Sequence, residues 1–91
     1  MVTQNFLISG RVQGVGFRWS VAKLAEQLAV TGTVQNLPTG QVAIVASGEP
    51  AQLADFADQI NRGVNPWARV SQLKISPART QRFFDFRIIT R

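Results

Sequence analysis

A short run near the N-terminus, from Gly10 to Arg18, combines the residue types of an anion-binding turn. It follows a predicted strand, contains three glycines and ends on an arginine where a helical pattern begins. Glycine lets backbone N–H groups approach a ligand closely, and a helix start adds unpaired donors at the positive end of its dipole. Arginine adds a planar, permanently charged group suited to phosphate oxygens. The run therefore predicts a phosphate cradle.

The glycine spacing leaves a second interpretation open. Gly10, Gly14 and Gly16 match neither the glycine pattern of dinucleotide-binding turns nor the phosphate loop that ends in Gly-Lys-Ser/Thr. A purely structural turn between strand and helix is therefore the alternative. Arg18 favours a functional site, because a bound anion would lie at the same first turn of the helix.

The residue types that the chain lacks exclude several kinds of chemistry. It has no cysteine, histidine or tyrosine, so thiolate nucleophiles, phosphohistidine and Ser-His-Asp mechanisms are ruled out. The side-chain carboxylates form no close Asp-x-Asp pair; they are Glu26, Glu49, Asp55, Asp58 and Asp85. We therefore expect neither a metal site nor a cofactor.

The composition predicts one small globular domain over residues 1–91 and no membrane partner. Hydrophobic residues make up 45% of the chain and charged residues 16%. No signal peptide and no membrane-spanning apolar run is recognisable. The absence of cysteine is compatible with a reducing cytosol, and we expect a cytoplasmic monomer. The net charge of +5 favours an anionic partner, although solubility alone is an equally good explanation.

Hydrophobic periodicity predicts five strands and two helices. The predicted strands are Asn5–Val12, Thr33–Leu37, Gln41–Ser47, Arg69–Ser76 and Phe83–Thr90. The first helix is predicted over Phe17–Val30 with Gly32 closing it, and the second begins at Pro50 and ends before Gly63. Each helix carries one apolar face, formed by Val21, Leu24, Ala25 and Leu28 in the first and by Leu53, Phe56, Ala57 and Ile60 in the second.

The order β-α-β-β-α-β with an added C-terminal strand predicts an α+β fold, a sandwich with both helices on one face of an antiparallel sheet. A helix that returns between the first two strands makes those strands run in the same direction. The turn after Val12 and the end of the second strand at Asn36 should therefore meet at one edge of the sheet. Asn36 is either an ordinary turn residue or an amide that orients a water molecule or a substrate oxygen.

The run Gly10–Arg18 resembles the signature of the acylphosphatase family, and Gly32–Asn36 resembles that family's second signature. The resemblance extends from about Phe6 to Ile89. It implies a ferredoxin-like fold and metal-independent hydrolysis of acyl phosphates to a carboxylate and inorganic phosphate, the latter also a competitive inhibitor. It implies that Arg18 is the phosphate-binding catalytic arginine and that Asn36 holds the attacking water. The N–H groups around the phosphate would come from Gln13, Gly14, Val15, Gly16 and Phe17.

This chain departs from common family choices at a few positions outside those roles. Thr33 stands where an aromatic residue is common, Gln35 where a basic one is, Thr39 where an aspartate is and Ala43 where an acidic residue is. These departures bear on stability and on substrate preference. The reaction itself needs no general acid, because the carboxylate leaving group is weakly basic, and the transfer depends mainly on positioning and charge stabilisation.

Two other functions fit part of the sequence. An RNA-binding domain would use exposed aromatics, with Phe17, Trp19, Phe83, Phe84 and Phe86 as candidates, but the strand Gln41–Ser47 has no aromatic residue and we expect no nucleic-acid partner. The second alternative is a regulatory phosphate-sensing or carbamoyl-phosphate-handling domain of the kind found in larger enzymes. Hydrolysis of benzoyl phosphate, measured with and without inorganic phosphate as competitor, would favour the hydrolase over these alternatives, and salt-dependent binding of single-stranded RNA would favour the first of them.

Overall fold

The structure is a computed structural model that describes residues 1–90. Five strands and two helices alternate along this part of the chain in the predicted order. They are β1 (Val2–Arg11), α1 (Phe17–Gln27), β2 (Thr31–Asn36), β3 (Val42–Gly48), α2 (Pro50–Asn61), β4 (Arg69–Pro77) and β5 (Phe86–Ile89).

The strands form one sheet in the order β4-β1-β3-β2-β5. β3 lies between β1 and β2 and is antiparallel to both, so β1 and β2 run in the same direction. Their C-terminal ends therefore meet at one edge of the sheet, as the sequence predicts. This topology brings the turn after Arg11 close to Asn36.

Both helices cover the same face of the sheet and bury the predicted apolar residues. Val21, Leu24 and Ala25 of α1 are buried with Leu53, Phe56 and Ile60 of α2, while Leu28 and Ala57 pack at the edge of this core. From the sheet, the core receives Phe6 and Ile8 of β1, Val34 of β2, and Val42 and Ile44 of β3. Phe56 packs edge-on against Phe6 with the ring centroids 5.6 Å apart. The α+β sandwich of the prediction is confirmed.

The sheet differs from the prediction in being mixed rather than wholly antiparallel. β5 pairs with β2 in parallel, with Val34 opposite Ile88. Local periodicity shows that a segment is a strand, but it carries no information about which neighbour the strand joins. β5 is also shorter than the predicted Phe83–Thr90, because Phe84 is fully exposed and regular pairing begins at Phe86.

The first helix ends earlier than predicted, and Gly32 does not close it. Ala29 adopts a left-handed conformation with φ of 57°, and the N–H of Val30 donates to the carbonyl of Ala25 over 2.8 Å, which is a Schellman termination. Gly32 lies within β2, where a Cβ atom would come within 1.8 Å of the Val45 carbonyl oxygen. The glycine is required by close approach of β3, not by a helix cap.

None of the helices within residues 1–90 combines the length and the apolar character needed to cross a membrane.

Candidate active site

The predicted cradle and Asn36 line one small cavity at the C-terminal edge of β1 and β2. Its volume is about 170 Å³, and its polar and backbone walls come from Gly14, Gly16, Arg18 and Asn36. Apolar side chains complete it, namely Val12, Phe17, Trp19 and Ile88. Among residues 1–90, no carboxylate side chain lines this cavity, and Arg18 is the charged side chain in its wall.

The turn between β1 and α1 depends on glycine at two positions. Gly14 has a φ of 74° and Gly16 a φ of 72°, values that residues with a Cβ rarely adopt. Gly16 is also the N-cap of α1, and no side chain caps the helix there. Gly10, by contrast, belongs to β1 and does not line the cavity.

The N-terminus of α1 is open, whereas that of α2 is closed by its own side chains. At α2, Glu49 and Gln52 form a reciprocal capping box. The first turn of α1 has no acidic residue, and no hydrogen bond within residues 1–90 is donated by the backbone N–H groups of residues 13–19. Unpaired N–H groups at a helix start attract an anion, since the positive end of the dipole lies there.

Arg18 is half-buried and makes no ion pair with any carboxylate of residues 1–90. The larger groove between α1 and α2, of about 520 Å³, also contains an arginine, Arg62. There the guanidinium lies 3.1 Å from the carboxylate of Asp58, which would compete with a bound anion for it. The smaller cavity is the better anion site, because its arginine has no such competitor.

The amide oxygen of Asn36 is buried and accepts no hydrogen bond from residues 1–90. Buried polar atoms in folded proteins nearly always have a partner, and one without a partner points to a ligand or a water molecule as its donor. Asn36 is the last residue of β2, where the hairpin to β3 begins, so its position is fixed by the sheet. An amide at this place can orient a water molecule but cannot serve as a strong base.

Gln13 ties the glycine turn to the hairpin that carries Asn36. Its side-chain amide donates to the carbonyl of Leu37 over 2.8 Å and to the carbonyl of Gln41 over 2.9 Å. The Gln41 side chain in turn donates to the hydroxyl of Ser9 in β1. Thr39 donates to the side-chain oxygen of Gln41 over 2.8 Å, so the threonine at this position contributes a hydrogen bond to the hairpin.

Asn65 ties the same turn from the opposite side, and sequence reasoning missed this role. Its amide nitrogen donates to the Val15 carbonyl over 3.1 Å and to the Ser20 hydroxyl over 3.0 Å. Its amide oxygen accepts the N–H groups of Trp67 and Ala68. The run Gly63–Pro66 predicts a turn, but nothing in it indicates which distant loop the asparagine would contact.

The structure brings together most of the predicted site residues. Gly14, Gly16, Phe17, Arg18 and Asn36 line the cavity, whereas Gln13 and Val15 lie beside it and hold the turn in place. Of the predicted aromatic candidates, Phe17 is buried and Phe86 packs against Phe56, while Trp19 and Phe84 are exposed. The residues that sequence reasoning missed are Trp19 and Ile88 as cavity walls and Asn65 as a tether.

No group of three or more His, Cys, Asp or Glu side chains capable of holding a metal ion is found within residues 1–90.

The fold and this cavity define a ferredoxin-like domain with an anion-suited site at one sheet edge. The acylphosphatase family model matches residues 4–88. A curated acylphosphatase from Lacticaseibacillus paracasei is 42% identical, over 84% of this chain and 82% of its own length. The crystal structure of acylphosphatase from Bacillus subtilis superposes with a TM-score of 0.93 at 31% identity, covering 99% of this chain and all of the other. The chain belongs to the acylphosphatase family, and it is an enzyme that hydrolyses the carboxyl–phosphate bond of acyl phosphates.

The same fold also occurs inside a larger protein. Full-length HypF, in a phosphate- and nucleotide-bound form, matches 98% of this chain with a TM-score of 0.91 at 26% identity, but the match spans 12% of HypF. The curated acylphosphatase from Lacticaseibacillus paracasei is more similar to this chain, at 42% identity. The higher identity favours an acylphosphatase over the regulatory domain considered as an alternative.

Proposed function

We propose that the cavity between the glycine turn and Asn36 binds the phosphoryl group of the acyl phosphate. The N–H groups of residues 13–17 and the Arg18 guanidinium would donate hydrogen bonds to the phosphoryl oxygens. The observation that supports this most strongly is the coincidence, in one cavity, of an uncapped helix N-terminus and an arginine without a carboxylate partner within residues 1–90. Both features favour a bound anion.

Asn36 is proposed to orient the attacking water. Its buried amide oxygen would accept a hydrogen bond from one O–H group of that water, which would direct a lone pair of the water oxygen at phosphorus. The new P–O bond forms as the bond to the bridging oxygen breaks, and the carboxylate leaves with the bonding electron pair. One proton of the water passes to a phosphoryl oxygen, so the products are a carboxylate and inorganic phosphate.

Arg18 and the turn would stabilise the charge of the transition state. Phosphoryl transfer spreads negative charge over the equatorial oxygens, and donors fixed in advance around them need no reorganisation during the reaction. The leaving carboxylate is a weak base and needs no general acid. The donor set around the cavity, backbone N–H groups with one guanidinium and one amide, suits an anion better than a cation, so we propose that hydrolysis is metal-independent.

We further propose that inorganic phosphate, the product, is a competitive inhibitor, because it carries the same oxygens as the substrate's phosphoryl group. The enzyme is proposed to act as a cytoplasmic monomer with no nucleic-acid partner. Light scattering at increasing protein concentration tests the oligomeric state, and cell fractionation tests the compartment.

An absorbance assay with benzoyl phosphate tests the proposal directly. We expect hydrolysis at an unchanged rate after treatment with EDTA, and inorganic phosphate should raise KM without lowering kcat. Inhibition by EDTA would contradict the metal-independent mechanism. Non-competitive inhibition by phosphate would contradict a shared phosphoryl site, and salt-dependent binding of single-stranded RNA would support the rival function.

A further inference from the structure

An exposed tryptophan stands at the mouth of the proposed phosphoryl cavity. Trp19 directly follows Arg18, lines the cavity and has 63% of its surface exposed. Ile88 of β5 lines the same cavity and is 38% exposed. The ammonium group of Lys23 lies 5.3 Å from the centroid of the indole, a cation–π contact that restrains the ring. Two apolar side chains thus face solvent beside the charged site.

A groove between α1 and β5 adjoins this mouth. Its volume is about 620 Å³, and Trp19 belongs to both the groove and the cavity. Trp19, Ala22, Lys23 and Glu26 follow one another at helical spacing and form the α1 wall. Phe84 and Phe86 supply the apolar part of the opposite wall. Lys23, Glu26 and Asp85 place charges around this groove, but Trp19, Phe84 and Phe86 give it an apolar part that is continuous with the cavity through Trp19.

The substrate has a second part that the phosphoryl site does not account for. Its acyl group is joined to phosphorus through one bridging oxygen, so the acyl carbon must lie within a few bond lengths of the bound phosphoryl group. A group leaving the cavity at its mouth would pass Trp19 and Ile88. Apolar or aromatic acyl groups would gain by removing these side chains from water, whereas an acetyl group is too small to cover them.

We propose that Trp19 and Ile88 form an acyl-binding rim that makes this enzyme prefer aromatic or extended apolar acyl phosphates over acetyl phosphate. The inference rests on the proposed binding of the phosphoryl group by the Arg18 cavity. Exposure of an aromatic residue is not enough to support this proposal, because Trp67 is 68% exposed but lines neither the cavity nor the groove. Trp19 is proposed to contact the acyl group because it lines both the cavity and the groove.

Steady-state kinetics of Trp19→Ala with two substrates test the rim, with the release of inorganic phosphate measured in both cases. We expect the ratio of kcat/KM for benzoyl phosphate to that for acetyl phosphate to fall by about 3- to 10-fold, the size expected for the loss of one aromatic contact. The loss should appear in KM for benzoyl phosphate, because the contact is made equally in the ground state and the transition state. Trp19→Phe should restore most of the ratio.

Trp67→Ala is the matched control, since it removes an equally exposed indole outside the cavity, and we expect an unchanged ratio. If Trp19→Ala changes kcat/KM for both substrates by the same factor, or for neither, the rim does not bind the acyl group. If the wild-type enzyme hydrolyses both substrates but phosphate does not compete, the proposed phosphoryl site fails instead. The two failures are therefore distinguishable.

Discussion

The side-chain amide of Gln13 donates a hydrogen bond to the carbonyl of Leu37 over 2.8 Å, and this contact joins the glycine turn to the strand end that carries Asn36. Gln13 belongs to the turn after β1, and Leu37 directly follows Asn36 at the end of β2. A proposed phosphoryl-binding turn and a proposed water-positioning amide are thus held at a fixed separation. In-line attack requires that separation, because small errors in the alignment of reacting groups cost large factors in rate.

Removing this tie should lower turnover more than stability. The Leu37 carbonyl also accepts from the Gly40 N–H, and the Gln41 carbonyl also accepts from the Leu37 N–H, so both keep a donor in Gln13→Leu. We expect the free energy of unfolding to fall by about 1 kcal/mol or less. We expect kcat for benzoyl phosphate to fall by about 10-fold or more. Gln59→Leu, on the exposed face of α2, is the control, and an unchanged kcat in Gln13→Leu would show that the tie is not needed.

Arg18→Ala should abolish measurable turnover. Loss of an arginine that stabilises a phosphoryl transition state costs about 10³-fold or more in rate, and the affinity for inorganic phosphate should fall as well. Arg18→Lys should recover little, because an ammonium group lacks the planar fork. The measurements are kcat/KM and the inhibition constant of phosphate. Arg79→Ala removes the same charge from an exposed loop position, and an equal loss there would mean that net charge, not a site, governs activity.

Asn36→Ala should separate catalysis from binding. Because the amide is proposed to act on the water and not on the phosphoryl group, we expect kcat to fall by about 100-fold while the inhibition constant of phosphate changes little. Asn61→Ala, at the exposed end of α2, controls for the substitution itself. Parallel losses of kcat and of phosphate affinity in Asn36→Ala would place the amide on the phosphoryl group.

Asn65→Ala should weaken both the fold and phosphate binding. It leaves the N–H groups of Trp67 and Ala68 without their acceptor and frees the Val15 carbonyl. We expect the free energy of unfolding in urea to fall by about 2 kcal/mol, and the inhibition constant of phosphate to rise. Asn5→Ala, on the exposed face of β1, should do neither. A destabilised variant with unchanged phosphate affinity would restrict Asn65 to a role in folding.

Ala29→Gly should stabilise the protein. Ala29 is exposed and left-handed at the end of α1, a conformation that costs a residue with a Cβ about 1 kcal/mol or more. Glycine removes that strain, but its greater entropy in the unfolded chain offsets part of the benefit. We therefore expect the free energy of unfolding to rise by about 0.5 kcal/mol. Ala54 is exposed to solvent in the middle of α2, and Ala54→Gly should lower the free energy of unfolding by about 1 kcal/mol. A lower melting temperature in Ala29→Gly would contradict this assignment of the helix end.

The sequence by itself determined the elements, the buried faces of the helices, and the pairing of the glycine turn with Asn36. These follow from short-range rules: the period of apolar residues, the need for positive φ at Gly14 and Gly16, and the parallel direction imposed on β1 and β2 by the intervening helix. Only the tertiary structure decided that β5 joins β2 in parallel, which places Ile88 at the cavity, and that Asn65 reaches the carbonyl of Val15. Such contacts join residues far apart in sequence, and no local periodicity encodes the partner that a strand edge or a loop amide will meet.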